Sequence, residues 1–452
     1  MKKLVYFLLS LSLFSCNNEN EPSNENEKVK GELSWSKTYG GTQDEYMTGV
    51  VKTNDGGFIV LGYTQSNNGD IIKSNSMVDI WLSKYNSSGN LVWSKTIGGS
   101  NNDYGTSIIP TKDGNFVVAG YSASSDGDVP GNLGMHDFYV CKINNNGDIL
   151  WSKNYGFMSH DHAHKIIETQ DGGFFVGGYA DYAGIEGTPG DGNHGEGHSL
   201  KGNKSSAKHG VGEYFGIRLD SNGNFKWYRY FGGTQNDRIN DIVEANDGGF
   251  ILVGYSESVD FDITNNKGSY DYWILKLDAS GHLHWKKNFG GSGIDQANSV
   301  AKTDNNSYMI VGRSNSTDGD ISKNTGNFDA WVIHVNDHGE LLWEKSFGSP
   351  EFDAANTIKK LKNGSFGIVG SSRGNIDGTT NKGQNDYWIF EIDNRPNTGI
   401  HWQKTVGGNQ IDIANDFIQT EDGFVIIGDT QSNTNDVPSN KGANDLWMVK
   451  IQ

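Results

Sequence analysis

Cysteine is nearly absent: only Cys16 and Cys141 occur in 452 residues, so no intrachain disulfide framework is available. Positive charge is also in short supply. Lys and Arg number 37 against 55 Asp and Glu, and the formal net charge of -18 argues against nucleic acid as a partner, because a phosphate backbone would be repelled. Apolar runs are few. Residues 4–14 are too short to span a bilayer, and no second run is long enough. Amphipathic helical periodicity is missing beyond those first residues, which leaves strands as the building material.

The start of the chain carries an address. Lys2 and Lys3 precede the apolar run, as in a secretory signal peptide. The run ends in Leu13-Phe14-Ser15-Cys16, which resembles a bacterial lipobox. That resemblance implies removal of residues 1–15, lipidation of Cys16, and attachment to a membrane by the lipid alone. The expected location is the outer membrane or cell surface, outside the cytoplasm. Residues 16–30 are polar and acidic and cannot bury enough surface to fold, so they read as a flexible tether.

Tryptophan sets the period of the rest. Trp35, Trp93, Trp151, Trp227, Trp285, Trp343 and Trp402 are separated by 58, 58, 76, 58, 58 and 59 residues, and a glycine follows each five residues later. A fixed period of this size signals a repeat architecture. Within residues 99–151 the pattern is four short strands: DYGTSIIPT (A), NFVVAGYS (B), DFYVCKIN (C) and DILWSKNYG (D, running to Gly156). Asp113-Gly114 and Asn146-Gly147 supply hairpin turns between A and B and between C and D. Four-stranded units at this spacing predict an all-β fold, a seven-bladed β-propeller over residues 31–452. The seventh copy has A (412–419), B (424–430) and C (445–451) but no D, whereas GELSWSKTYGG (31–41) is a D strand with nothing before it. Pairing the two ends closes the ring and leaves no half-built edge.

The stretch GGSNNDYGTSIIPTKDGNFVVAGYS, followed by DFYVCKINNNGDILW, resembles the SBBP-type propeller repeat of secreted bacterial proteins. The shared features are the Gly-Gly, the Asp opening strand A, the Asp-Gly hairpin, the Gly-Tyr-Ser/Thr ending strand B and the Asp-aromatic start of strand C. Asn305-Asn306, Asn363-Gly364 and Gly370-Ser371-Ser372 depart from that pattern. The resemblance implies an exported propeller. It implies no reaction and no common catalytic residues.

Repetition separates fold requirements from functional candidates. Strand A opens with an acid in every blade (Glu45, Asp103, Asp161, Asp237, Asp295, Asp353, Asp412), and strand C does the same (Asp79, Asp137, Glu213, Asp271, Asp329, Asp386, Asp445). Both sets read as acceptors for backbone N–H groups in their own turns. Cys141 falls in a column of mostly apolar strand C residues and reads as core. Three residues after each strand A acid lie Thr48, Thr106, His164, Asn240, Asn298, Asn356 and Asn415. These are expected either to line the central channel as a polar ring or to bond to neighbouring blades.

Blade 3 breaks the pattern. It reads HDHAHK at 160–165 and has an extra-long B–C loop, so that His160, His162, His164, His194, His198 and His209 make up half of the chain's 12 histidines. The start of strand A and the B–C loop share one face of the ring. His160, Asp161, His162 and His164, with His194, His198 and His209, are therefore candidate ligands for a divalent metal such as zinc. Acidic B–C loops elsewhere, such as SSDGDV (124–129), make calcium the other candidate, with Asx turns as the competing reading. The function expected is a monomeric binding or scaffolding propeller whose ligand, an extracellular protein or a glycan, meets the B–C and D–A face. The alternative is an enzyme, a glycan-acting hydrolase or lyase, with a metal at blade 3.

Overall fold

The computed structural model describes residues 31–72, 76–157, 159–181 and 212–452. The signal segment, the tether with Cys16, and the blade 3 insertion with His194, His198 and His209 lie outside the described residues. Strands alone make up the regular structure of the described residues, grouped in seven four-stranded antiparallel sheets. The protein is a seven-bladed β-propeller. In blade 2 the strands are Asp103–Pro110, Phe116–Ser122, Asp137–Ile143 and Ile149–Tyr155, within a residue or so of the bounds expected from sequence.

Burial explains the strand compositions. Strands B and C lie mid-blade and are covered on both faces by adjacent blades, so they read as almost unbroken apolar runs such as FILVGYS and DYWILKL. Strand D is outermost and half-buried, and strand A alternates between core and channel. The core is correspondingly divided: seven apolar clusters each bridge two neighbouring blades, one of them joining Val117 and Phe138 of blade 2 to Val176 and Phe215 of blade 3. The strand C tryptophans Trp81, Trp273, Trp331, Trp388 and Trp447 are fully buried in it, as are Tyr139 and Phe215 in the same column. Strand D tryptophans reach across the gap instead. Trp93 covers Gly147, which turns between strands C and D of the next blade at φ 75°, where a side chain would meet the indole. Where the hairpin glycine is replaced, Asn306 takes the left-handed conformation, φ 53°.

Leu33–Tyr39 pairs antiparallel with Asp445–Ile451, setting Thr38 opposite Trp447, so the first strand completes the last blade. Glu32 and Gln452 exchange both amide–carbonyl bonds, each 3.0 Å. The ring is sealed by its two ends.

Each strand A carries a β-bulge. Register slips between Gly105 and Ser107 in blade 2, and the residue skipped in the seven blades is Thr48, Thr106, His164, Asn240, Asn298, Asn356 or Asn415. A bulged residue has no ladder partner, which frees it to face the ring's axis.

Candidate functional site at the channel mouth

The acids at the strand ends are structural. Asp103 accepts the Gly99 N–H at 2.8 Å and the hydroxyls of Ser122 and Ser124. Asp412 is bonded in the same way, Asp237 and Asp295 each accept the corresponding N–H and one serine hydroxyl on Oδ2, and Asp161 accepts the Phe157 N–H at 2.5 Å. Asp161 thus faces its own turn, away from the neighbouring imidazoles. Five strand C acids, Asp137, Asp271, Asp329, Asp386 and Asp445, accept the N–H four residues back, as Asp271 does from Lys267. The B–C loop acids are also taken up by backbone: Asp126 accepts the Ser100 N–H and Asp318 the Ser292 N–H, both at 2.7 Å.

The seven bulged residues line a central channel of about 350 Å³. Each also reaches the next blade. Thr48, Thr106, Asn240, Asn298, Asn356 and Asn415 donate to the carbonyls of Gly105, Ala163, Ala297, Ala355, Ala414 and Met47, and His164 Nδ1 meets the Ile239 carbonyl, all at 2.8–3.0 Å. One closed circle of side-chain-to-backbone bonds therefore runs around the axis. Burial holds His164 at a pKa of about 4, so it is neutral in this role.

Around the rim of this channel, on the B–C and D–A face, runs a collar that sequence reasoning did not single out. It is built from one cross-strand pair per blade: the residue after the strand A acid and the residue in the tyrosine position of Gly-Tyr on strand B. The pairs are Tyr46–Tyr63, Tyr104–Tyr121, His162–Tyr179, Arg238–Tyr255, Gln296–Arg313, Ala354–Ser371 and Ile413–Asp429. Through blades 1 to 3 the rings form an unbroken series. Centroids lie 5.2 Å apart for Tyr46–Tyr63, 5.0 Å for Tyr63–Tyr104, 4.6 Å for Tyr104–Tyr121, 3.8 Å for Tyr121–His162 and 4.8 Å for His162–Tyr179. The Arg238 guanidinium then sits 3.7 Å above Tyr179. On the far side, Ala354, Ser371 and Asp429 replace the aromatics, so the rim is lopsided. Tyr46, Tyr63 and Asp429 also line the channel, which makes the collar its mouth.

At blade 3 the collar contains imidazoles. His162 stacks on Tyr121 with an interplanar angle of 3°, and its Nδ1 lies 2.7 Å from the Tyr179 hydroxyl. His160 Nδ1 lies 2.7 Å from Nδ1 of His136, the residue before strand C of blade 2. One ligand-capable atom from each of His136, His160 and His162 falls within 4.8 Å of the others, and all three rings are half-buried. His136 belongs to blade 2 and lies outside the HDHAHK run, so the histidine spacing along blade 3 does not point to it. The signal was present: residues preceding the strand C acid pair in parallel with residues preceding the next strand A acid, as in His136–His160, Tyr270–Ile294 and Phe328–Phe352. Laying those two columns side by side, one blade out of step, brings the histidines together.

No family model matches the chain. The regulatory protein FlaEY of Caulobacter vibrioides is 25% identical over 386 residues, which take in 75% of this chain but 37% of that protein. Among solved structures, the WD40 domain of Neurospora crassa Pan2 is 12% identical at a TM-score of 0.46, covering 90% of this chain and 91% of its own. Sqt1 from Chaetomium thermophilum is 11% identical at a TM-score of 0.45, covering 89% and 82%. Neither of these structures bears on what the chain does. What the sheets do establish is a seven-bladed propeller scaffold.

Proposed function

We propose that the protein is an exported, Cys16-lipidated propeller that binds a protein partner over the collar. The collar carries this reading. Tyrosine and arginine concentrate there, and these residue types dominate binding energy at protein interfaces, because they bring large contact area with a polar tip. The recessed channel mouth would admit a protruding partner segment, while the long B–C loops form a polar surround. FlaEY is named a regulatory protein, a role usually exercised through partners, and it matches over most of this chain. A glycan is the competing ligand, and the enzymatic alternative would need a metal at the histidine trio.

The test is a photoreactive amino acid placed at Tyr104 on the collar, or at Val92, which is exposed on strand D at the outer wall. In intact cells the collar probe is expected to give a discrete protein adduct that is lost in a Tyr46→Ala, Arg238→Ala background, and the Val92 probe none. Equal labelling from both positions, or retention on a glycan array that depends on the collar, would sink the protein-partner reading. Cys16→Ala is expected to release the chain from the membrane fraction.

A further inference from the structure

We infer that His136, His160 and His162 form a site for one transition-metal ion of the zinc, copper or nickel class. The fold does not ask for histidine at these places. The position of His162 is Tyr46 in blade 1 and Tyr104 in blade 2, and that of His136 is Tyr270 in blade 4 and Phe328 in blade 5. His160 stands where sister blades carry Asp44, Asn102, Asn236, Ile294, Phe352 and Ile411, so none of the three positions holds histidine in any other blade. Imidazole donors without a carboxylate in the group select borderline metals over calcium.

The geometry is prepared at three levels. The backbones of His136 and His160 are locked side by side: the Asp161 N–H donates to the His136 carbonyl at 2.8 Å, and the Met135 N–H to the Ser159 carbonyl at 3.0 Å. The His162 ring is clamped between its stack on Tyr121 and the Tyr179 hydroxyl on Nδ1. That contact leaves Nε2, which is buried and has no hydrogen-bond partner, as the nitrogen available to a metal. A polar group holding the distal nitrogen of a ligating histidine is the usual supporting arrangement.

Without an ion, the Nδ1 atoms of His136 and His160 share a proton across 2.7 Å. An ion with metal–nitrogen distances of about 2.0–2.1 Å would set tetrahedral ligands roughly 3.3 Å apart. The two rings need move apart only slightly, and the shared proton passes to the distal Nε2 of the ring that carried it. Two charged groups flank the site. Asp181, whose N–H donates to the His160 carbonyl at 2.7 Å, carries a buried carboxylate oxygen without a partner, and Arg238 lies beyond Tyr179. Three protein ligands leave a coordination position for water or a ligand atom.

The test uses the chelator-stripped full chain titrated with zinc and with cobalt, followed by calorimetry and by the visible absorption of cobalt. One equivalent is expected, with a nitrogen-rich tetrahedral or five-coordinate cobalt spectrum. His136→Phe and His162→Tyr borrow residues that sister blades already use, so they are expected to melt like the parent while losing the spectrum. Tyr179→Phe should weaken affinity about 10–100-fold. No saturable binding by the parent overturns the inference. So does one equivalent that survives both substitutions, or one abolished instead by changing His194, His198 and His209 together.

Discussion

The glycine five residues after each strand D tryptophan is wedged between two carboxylates, one opening strand C of its own blade and one opening strand A of the next. At Gly98 an added methyl would stand 2.5 Å from Asp103 Oδ2 and 2.8 Å from Asp79 Oδ1. Gly98→Ala is therefore expected to destabilise the protein by about 2 kcal/mol or more, since neither buried acid can retreat; thermal melting checks this. The acids themselves are strained electrostatically. Asp271 Oδ1 and Asp295 Oδ1 are both buried without hydrogen-bond partners, and burial first, then the neighbouring Asp295, pushes the Asp271 pKa up to about 6. Asp271→Asn keeps the acceptor for the Lys267 N–H and removes a charge that the folded state disfavours. It should stabilise by about 1–2 kcal/mol at pH 8, and the gain should shrink as pH falls below about 6 and vanish only below about pH 4, where the carboxyl is protonated in the folded and unfolded chains alike. These columns were readable as turn acceptors because every blade repeats them. Their pairing across blades was not, since it joins residues that no local pattern relates.

At the scale of the strand, the bulge in A makes the polar ring. The skipped residue points to the axis and at the same time bonds to the next blade, so lining and bonding are one arrangement. Asn298→Ala removes the bond to the Ala355 carbonyl and is expected to cost about 1 kcal/mol in a denaturant titration. His164→Asn installs the residue used by four other blades; it should hold the Ile239 carbonyl, leave stability within about 0.5 kcal/mol, and leave the histidine trio untouched. That last outcome separates two uses of histidine which look alike along the chain. His160, His162 and His164 alternate in sequence, but the bulge turns His164 toward the channel while His162 stays on the rim. Strand boundaries, blade count and closure were legible because aromatic columns and Asp-Gly turns recur at fixed spacing. The bulge was not, since a polar residue among apolar ones reads equally as an exposed ladder position. The collar went unnoticed for the opposite reason: its tyrosines looked like repeat signature.

For the whole wheel, the raised carboxyls set the response to pH. Burial pushes Asp237, Asp386 and Asp445 up to about 7 and Asp137 and Asp412 up to about 6. A folded pKa above the unfolded value near 4 means the folded chain holds the proton more tightly. The stabilisation is complete below that unfolded value and is lost as pH rises through about 6 to 7. His136, His162, His164 and His334 act in the opposite sense: lowered by burial, they stabilise above about pH 6.5 and cost stability below it. Because the raised acids are the more numerous, the melting temperature is expected to fall from about pH 5.5 to about pH 7.5. A chain beginning at residue 41 lacks the closing strand and bares the edge of Asp445–Ile451. It should melt lower and associate through that edge, as size-exclusion chromatography would show.

That closing strand has a consequence for biogenesis. Leu33–Tyr39 is made before all six complete blades and its partner Asp445–Ile451 after them, so the closing strand waits unpaired while the blades between are synthesised. Sealing the ring is the contact of greatest sequence separation, which makes it the slow step. The wheel therefore locks only after Asp445–Ile451 has been made, and until then the blades between are held in an open arc.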